Sequence, residues 1–123
     1  MAGVDPPRAE FQSVDLTNPF SEMKIENQGE CLSISEITEL TAVNSANFRD
    51  QVRAILPGSL AVIEIDLGDT RFVDSSGLGA LFAVYRAATQ CDGLILRLLN
   101  PRPEIQQLLE LTQMQQLFEI VQR

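Results

Sequence analysis

Apolar residues recur along this chain with changing period, and each change marks an element. From Met23 to Glu26 apolar and polar positions alternate, Asn27-Gln28-Gly29 supplies turn residues, and Cys31-Leu32-Ser33-Ile34-Ser35-Glu36-Ile37 alternates again; the pattern predicts a β-hairpin. Between Asn44 and Leu56 the residues Phe48, Val52, Ile55 and Leu56 fall at helical spacing, and Pro57-Gly58 stops the run. Leu60 to Leu67 is almost continuously aliphatic, as expected of a central strand buried on both faces. A second helix begins near Ser75 or Ser76, with Leu78, Leu81, Phe82, Tyr85 and Ala88 on one face, read as a core stripe. Asp92-Gly93 makes a turn, and Leu94 to Leu99 forms a second buried strand interrupted only by Arg97. Asn100-Pro101 reads as the cap and start of a third helix, in which Ile105, Leu108 and Leu109 share a face. A short helical stretch around Gln113 to Gln116 and a strand from about Phe118 to Val121 complete the series.

The order ββαβαβα(α)β predicts an α/β fold whose sheet is parallel at its centre, because short strand-helix-strand links require right-handed crossovers. Residues 1–20 stand apart: they hold three of the six prolines and few periodic apolar positions. They are expected to be a flexible or loosely docked arm before one domain at 21–123.

Composition narrows the function. The 123 residues suffice for one hydrophobic core, and 45% hydrophobic against 21% charged fits a folded domain. No apolar run approaches the roughly 20 residues of a membrane span, and Met1 to Glu10 lacks a signal-peptide pattern, so a cytoplasmic location is expected. The net charge of −8, with Lys24 the sole lysine, excludes the basic cluster that nucleic acid demands and disfavours an anionic membrane surface. A basic protein partner is compatible with it. Histidine is absent, which removes Ser-His-Asp and Cys-His catalysis and imidazole metal sites; no cofactor motif is present. Cys31 and Cys91, isolated and far apart, are expected to be buried thiols.

The run Phe72-Val73-Asp74-Ser75-Ser76-Gly77-Leu78-Gly79 concentrates the polar chemistry at a strand-to-helix junction. One reading is a helix cap, with Asp74 or Ser75 accepting from unpaired backbone N–H groups. That explains two serines and two glycines poorly, because glycine in a helix costs up to about 1 kcal/mol relative to alanine. A catalytic serine lacks a base and the Gly-x-Ser-x-Gly elbow. A phosphate cradle lacks the P-loop lysine and the dinucleotide spacing. Phosphoacceptance stays open beside the cap: a serine lifted on a Gly-rich turn is accessible, the helix dipole favours the added charge and Asp74 opposes it.

The chain resembles the STAS domain of the anti-sigma factor antagonist family over roughly Met23 to Val121. The resemblance is sharpest in the Phe72–Gly79 block and in Leu109-Glu110-Leu111-Thr112-Gln113-Met114 with Leu117-Phe118-Glu119-Ile120. It implies a mixed four- to five-stranded sheet with helices mainly on one side, and no enzymatic activity. It implies an antagonist that binds an anti-sigma factor serine kinase, so releasing a sigma factor, until the kinase phosphorylates Ser76; a phosphatase reverses this. Asp74, Ser75, Ser76, Gly77 and Leu78 then form the partner-binding surface with Thr38 and Thr41 and the loop Asn100–Pro103. Two departures stand out. Thr38-Glu39-Leu40-Thr41 replaces the family's common Gly-x-Leu-Asp, and Arg123 ends the chain where many members add a helix. Phe11, Leu16 and Phe20 of the arm are expected to cover the face so exposed. The alternative is a non-switching STAS scaffold module of a multiprotein sensor or lipid-transport complex. A monomer or weak dimer is expected in either case.

Overall fold

Alternating residues build the first hairpin. In the computed structural model, which describes residues 23–56 and 60–123, β1 (Lys24–Gln28) pairs antiparallel with β2 (Cys31–Ser35). The turn is tighter than the sequence suggested. Gln28 still pairs with Cys31, and Gly29, at φ 67°, takes the left-handed backbone that a two-residue hairpin connection requires. A short strand β3 (Glu39–Leu40) follows, then α1 (Ser45–Ile55), β4 (Val62–Asp66), β5 (Phe72–Val73), α2 (Ser75–Ala88), β6 (Ile95–Leu99), α3 (Pro103–Leu111), a 3-10 turn at Met114–Gln116 and β7 (Glu119–Val121).

Two sheets result. The larger has the order β1-β2-β4-β6-β7 and is parallel from β2 to β7; the smaller is the parallel pair β3-β5. Leu32, Ile34, Ile63, Ile65, Leu96 and Leu98 project from one face of the large sheet into a core completed by Phe48 and Val52 of α1, Leu81 and Val84 of α2, and Ile105 and Leu109 of α3. Each connection steps to the next strand in the same direction, so right-handed crossovers put all three helices on that face.

This topology corrects the expectation that Leu60–Leu67 is buried on both faces. Ile63 and Ile65 are buried, whereas Val62, Glu64 and Asp66 on the other face are only half-buried. A row of polar residues crosses that open face in register, Ser33 beside Glu64, Glu64 beside Arg97, Arg97 beside Glu119. Arg97 bonds both Glu64 (3.3 Å) and Glu119, and Arg123 adds a 2.9 Å contact to Glu64. Arg97 therefore does not interrupt a buried strand; it is the middle of an ion-paired stripe.

Three further expectations change. The core face of α2 is Gly77, Ala80, Leu81, Val84 and Ala88, while Phe82 is 42% exposed and Leu78 and Tyr85 lie at the border. Phe82 stacks on Tyr85 at 6.1 Å, and Tyr85 meets Phe118 edge-on at 6.0 Å. The third helix starts at Pro103, not at Asn100-Pro101. Asn100 is left-handed (φ 54°), and its side-chain oxygen accepts from the Arg123 N–H at 2.7 Å, so it closes the sheet edge. Pro103 takes the first helical position, where no N–H is needed. Cys31 and Cys91 are free thiols, half-buried rather than buried. The predicted arm at 1–20, with Phe11, Leu16 and Phe20, and the stop at Pro57-Gly58 lie outside the described residues.

Leu98→Ala, at a fully buried position under the helices, is expected to cost about 2–5 kcal/mol in urea unfolding. Leu111→Ala, at a side chain 75% exposed, is expected to change stability by no more than about 0.5 kcal/mol.

Candidate functional site

The site is built where the small sheet meets the start of α2. Two strand residues, Phe72 and Val73, pair with Glu39 and Leu40, and the chain then turns into the helix at Asp74. The Asp74 N–H donates to the Leu40 carbonyl at 3.2 Å. Its carboxylate does two further things. Oδ1 accepts from the Gly77 N–H at 2.9 Å, capping the helix, and Oδ2 accepts from the Ala42 N–H at 3.1 Å, tying down a loop 32 residues away in sequence. The Gly77 N–H is the main reason that this carboxyl lies below the usual carboxylate range; burial works against it, and the N–H groups of Ala42 and Ser76 add to the lowering.

The two motif glycines have different causes. A Cβ on Gly77 would stand 2.1 Å from the Leu40 carbonyl oxygen and 2.9 Å from a Val73 methyl. Only glycine lets the first turn of α2 rest on the backbone of β3. A Cβ on Gly79 would meet nothing within 4 Å. Gly79 lies three residues beyond Ser76 and four beyond Ser75, on the same side of the helix.

Ser75 and Ser76 are both exposed at the first two helical positions, and their hydroxyls make no hydrogen bond among the described residues. Leu78 is half-buried against the core. Thr38 is exposed, and its carbonyl accepts from the Arg71 N–H at 2.9 Å. With Glu36, Glu39, Asp69, Arg71, Phe72 and Arg102 it lines a crevice of about 530 Å³. The structure thus brings Thr38 and the Asn100–Pro103 loop, through Arg102, to the same end of the sheet.

Thr41 is placed differently. Its side chain is buried, with the hydroxyl accepting from the Val43 N–H (3.2 Å) and donating to Glu39 (3.3 Å). Asn44 completes this turn: its Oδ1 accepts from the Thr41 N–H at 3.0 Å and its amide donates to the Glu39 carbonyl at 2.8 Å. Thr41 and Gly77 are therefore parts of the frame, while Ser75, Ser76 and Thr38 are parts of the surface. Sequence reasoning missed Asn44, Val43 and the Ala42 N–H. A backbone donor recruited by a carboxylate across 32 residues leaves no pattern in the chain.

The family model for the STAS domain matches residues 22–123, and the chain belongs to the STAS domain family. Among solved structures it resembles the anti-sigma factor antagonist SpoIIAA in its unphosphorylated form, at 21% identity, TM-score 0.70, covering 80% of this chain and 86% of that one. The phosphorylated form of SpoIIAA, a Bacillus cell fate determinant, matches at 21% identity and TM-score 0.65 over 80% of this chain and 89% of that one. An anti-sigma factor antagonist of Mycobacterium paratuberculosis matches at 23% identity and TM-score 0.64 over 86% and 90%. These structures bear out the mixed sheet with helices on one side. No curated protein sequence matches. Among the described residues no helix is long and apolar enough to cross a membrane.

Gly77→Ala is expected to destabilise by about 1–3 kcal/mol or more, since the new methyl meets backbone. Gly79→Ala is expected to stabilise by up to about 1 kcal/mol. Thermal and urea unfolding read both. Because the Asp74 pKa is lowered on folding, its contribution is complete above the unfolded carboxylate pKa of about 3.9 and fades as the pH falls through the folded value. The stability advantage of wild type over Asp74→Asn is therefore expected to be constant near neutrality and to shrink below about pH 4, followed by denaturant titrations across that range.

Proposed function

We propose that the protein is a phosphorylation-switched anti-sigma factor antagonist. In this reading the unphosphorylated start of α2 binds an anti-sigma factor that is also a serine kinase, and so frees a sigma factor. The domain contributes a surface and an acceptor hydroxyl and performs no catalysis itself. The kinase moves the γ-phosphoryl group of ATP to Ser76 Oγ, releasing ADP and the hydroxyl proton. A phosphatase returns serine and inorganic phosphate by hydrolysis.

The observation that carries the reading is Ser76 itself, an exposed hydroxyl with no hydrogen bond among the described residues, on a helix start held by Asp74 and Gly77. A phosphate there adds about −1.5 to −2 charge next to the Asp74 carboxylate. The helix N-terminus favours that charge and Asp74 opposes it, so the frame is expected to stay folded while the surface changes.

A second reading, a STAS scaffold that does not switch, draws on Thr41. The family's common Asp is absent there, and the threonine hydroxyl is consumed inside its own turn. Such a protein would show no phosphate turnover at Ser76.

Two measurements separate these. Pull-downs from native lysate with paired baits are expected to retain the kinase on Ser76→Ala and to lose it on Ser76→Asp. Equal retention on both baits would refute the switch. Intact-mass spectrometry of the native protein, with and without phosphatase, is expected to show a phosphatase-sensitive form that Ser76→Ala lacks.

A further inference from the structure

Gly79 weakens α2 without any return among the described residues. Its backbone is helical, it has no left-handed φ, and a side chain there would stand in open space. Folding alone would be served better by alanine. A glycine that the described fold does not need, one turn from Ser76, leaves the helix backbone open to close approach.

The apolar surface points to the same place. Among the described residues five large hydrophobic side chains are exposed, and three of them lie on α2 or on the segments that meet its start. Val43, 59% exposed, follows Ala42, whose N–H is held by the Asp74 carboxylate. Phe72, 57% exposed, precedes Asp74 by two residues and lines the crevice with Glu36, Glu39 and Asp69. Phe82, 42% exposed, lies one turn beyond Gly79. The other two are Ile95 on the large sheet and Leu111 at the end of α3.

We propose that Gly79 seats the backbone of the serine kinase partner, with Val43 and Phe72, on the segments that meet the start of α2, as apolar anchors. This rests on the reading of Ser76 given above and deepens it. An enzyme that phosphorylates Ser76 must cover its surroundings, and those surroundings are flat at Gly79 and apolar at Val43 and Phe72. The crevice beyond Phe72 holds three carboxylates against two guanidiniums, and the chain carries −8, so the partner's rim is basic. The switch then works through water: a phosphate near these apolar anchors must shed part of its hydration for the partner to dock, and the Asp74 carboxylate opposes the added charge.

The test uses the kinase retained by the Ser76→Ala bait, identified, purified and titrated calorimetrically against the full-length chain. Gly79→Ala is expected to melt above wild type and yet bind about tenfold more weakly. Phe72→Ala and Val43→Ser are expected to keep the wild-type melting temperature and also lose about tenfold in affinity, while Leu111→Ala binds as wild type does. If Gly79→Ala and Phe72→Ala bind as tightly as wild type while Ser76→Asp does not bind, the docking proposal fails and the switch stands. If Gly79→Ala lowers the melting temperature, the glycine has an internal role and the proposal fails. If Ser76→Asp binds like wild type, the switch and the docking proposal fall together.

Discussion

The first turn of α2 rests directly on a backbone carbonyl, and the rest of the site depends on that contact. Leu40 offers its oxygen to the Asp74 N–H, and Gly77 leaves just enough room for the helix to sit against it. With the helix so placed, the Asp74 carboxylate reaches both the Gly77 N–H and the Ala42 N–H. A single side chain thereby joins the helix cap to the loop before α1. The lowered pKa of Asp74 expresses the same geometry, because several N–H dipoles converge on one charge.

The two-stranded sheet makes this arrangement possible. Strands β3 and β5 are two residues each and would not persist alone. They are held at their ends by other bonds: the buried Thr70 hydroxyl donates to the Ile37 carbonyl at 2.6 Å, and the Asn44 amide donates to the Glu39 carbonyl. The large sheet, with every crossover on one side, supplies the packed platform from which both short strands project. Its open face is managed separately, by the ion-paired stripe of Glu64, Arg97, Glu119 and Arg123.

Rigidity and exposure are thus divided among neighbouring residues. Asp74, Gly77, Thr41 and Asn44 are spent on internal bonds and close packing. The side chains of Ser75, Ser76, Val43 and Phe72 stay exposed, and the outer side of Gly79 faces open space. In the proposed reading, a phosphate added to Ser76 on this stiff mount would change the surface without changing the shape, which would suit a switch read by a partner rather than by the domain itself.

Much of this was written in the order of residues. Alternation at Cys31–Ser35, helical spacing in α1 and the aliphatic runs of β4 and β6 specified the elements, because burying one face of a strand or helix constrains every second or every third to fourth residue. The Asp-Ser-Ser-Gly junction was legible too, since caps and glycines act locally. Tertiary structure alone decided which faces were covered: Val62 and Arg97 are half-exposed because all the helices pass on one side, and Phe82 is exposed because α2 turns Leu81 and Val84 inward. It alone assigned the glycines, Gly77 to a carbonyl 37 residues earlier and Gly79 to open space. It also withdrew Thr41 from the surface. Contacts between backbone groups distant in sequence carry no periodicity, and that is why the frame around Ser76 could not be read until the chain was folded.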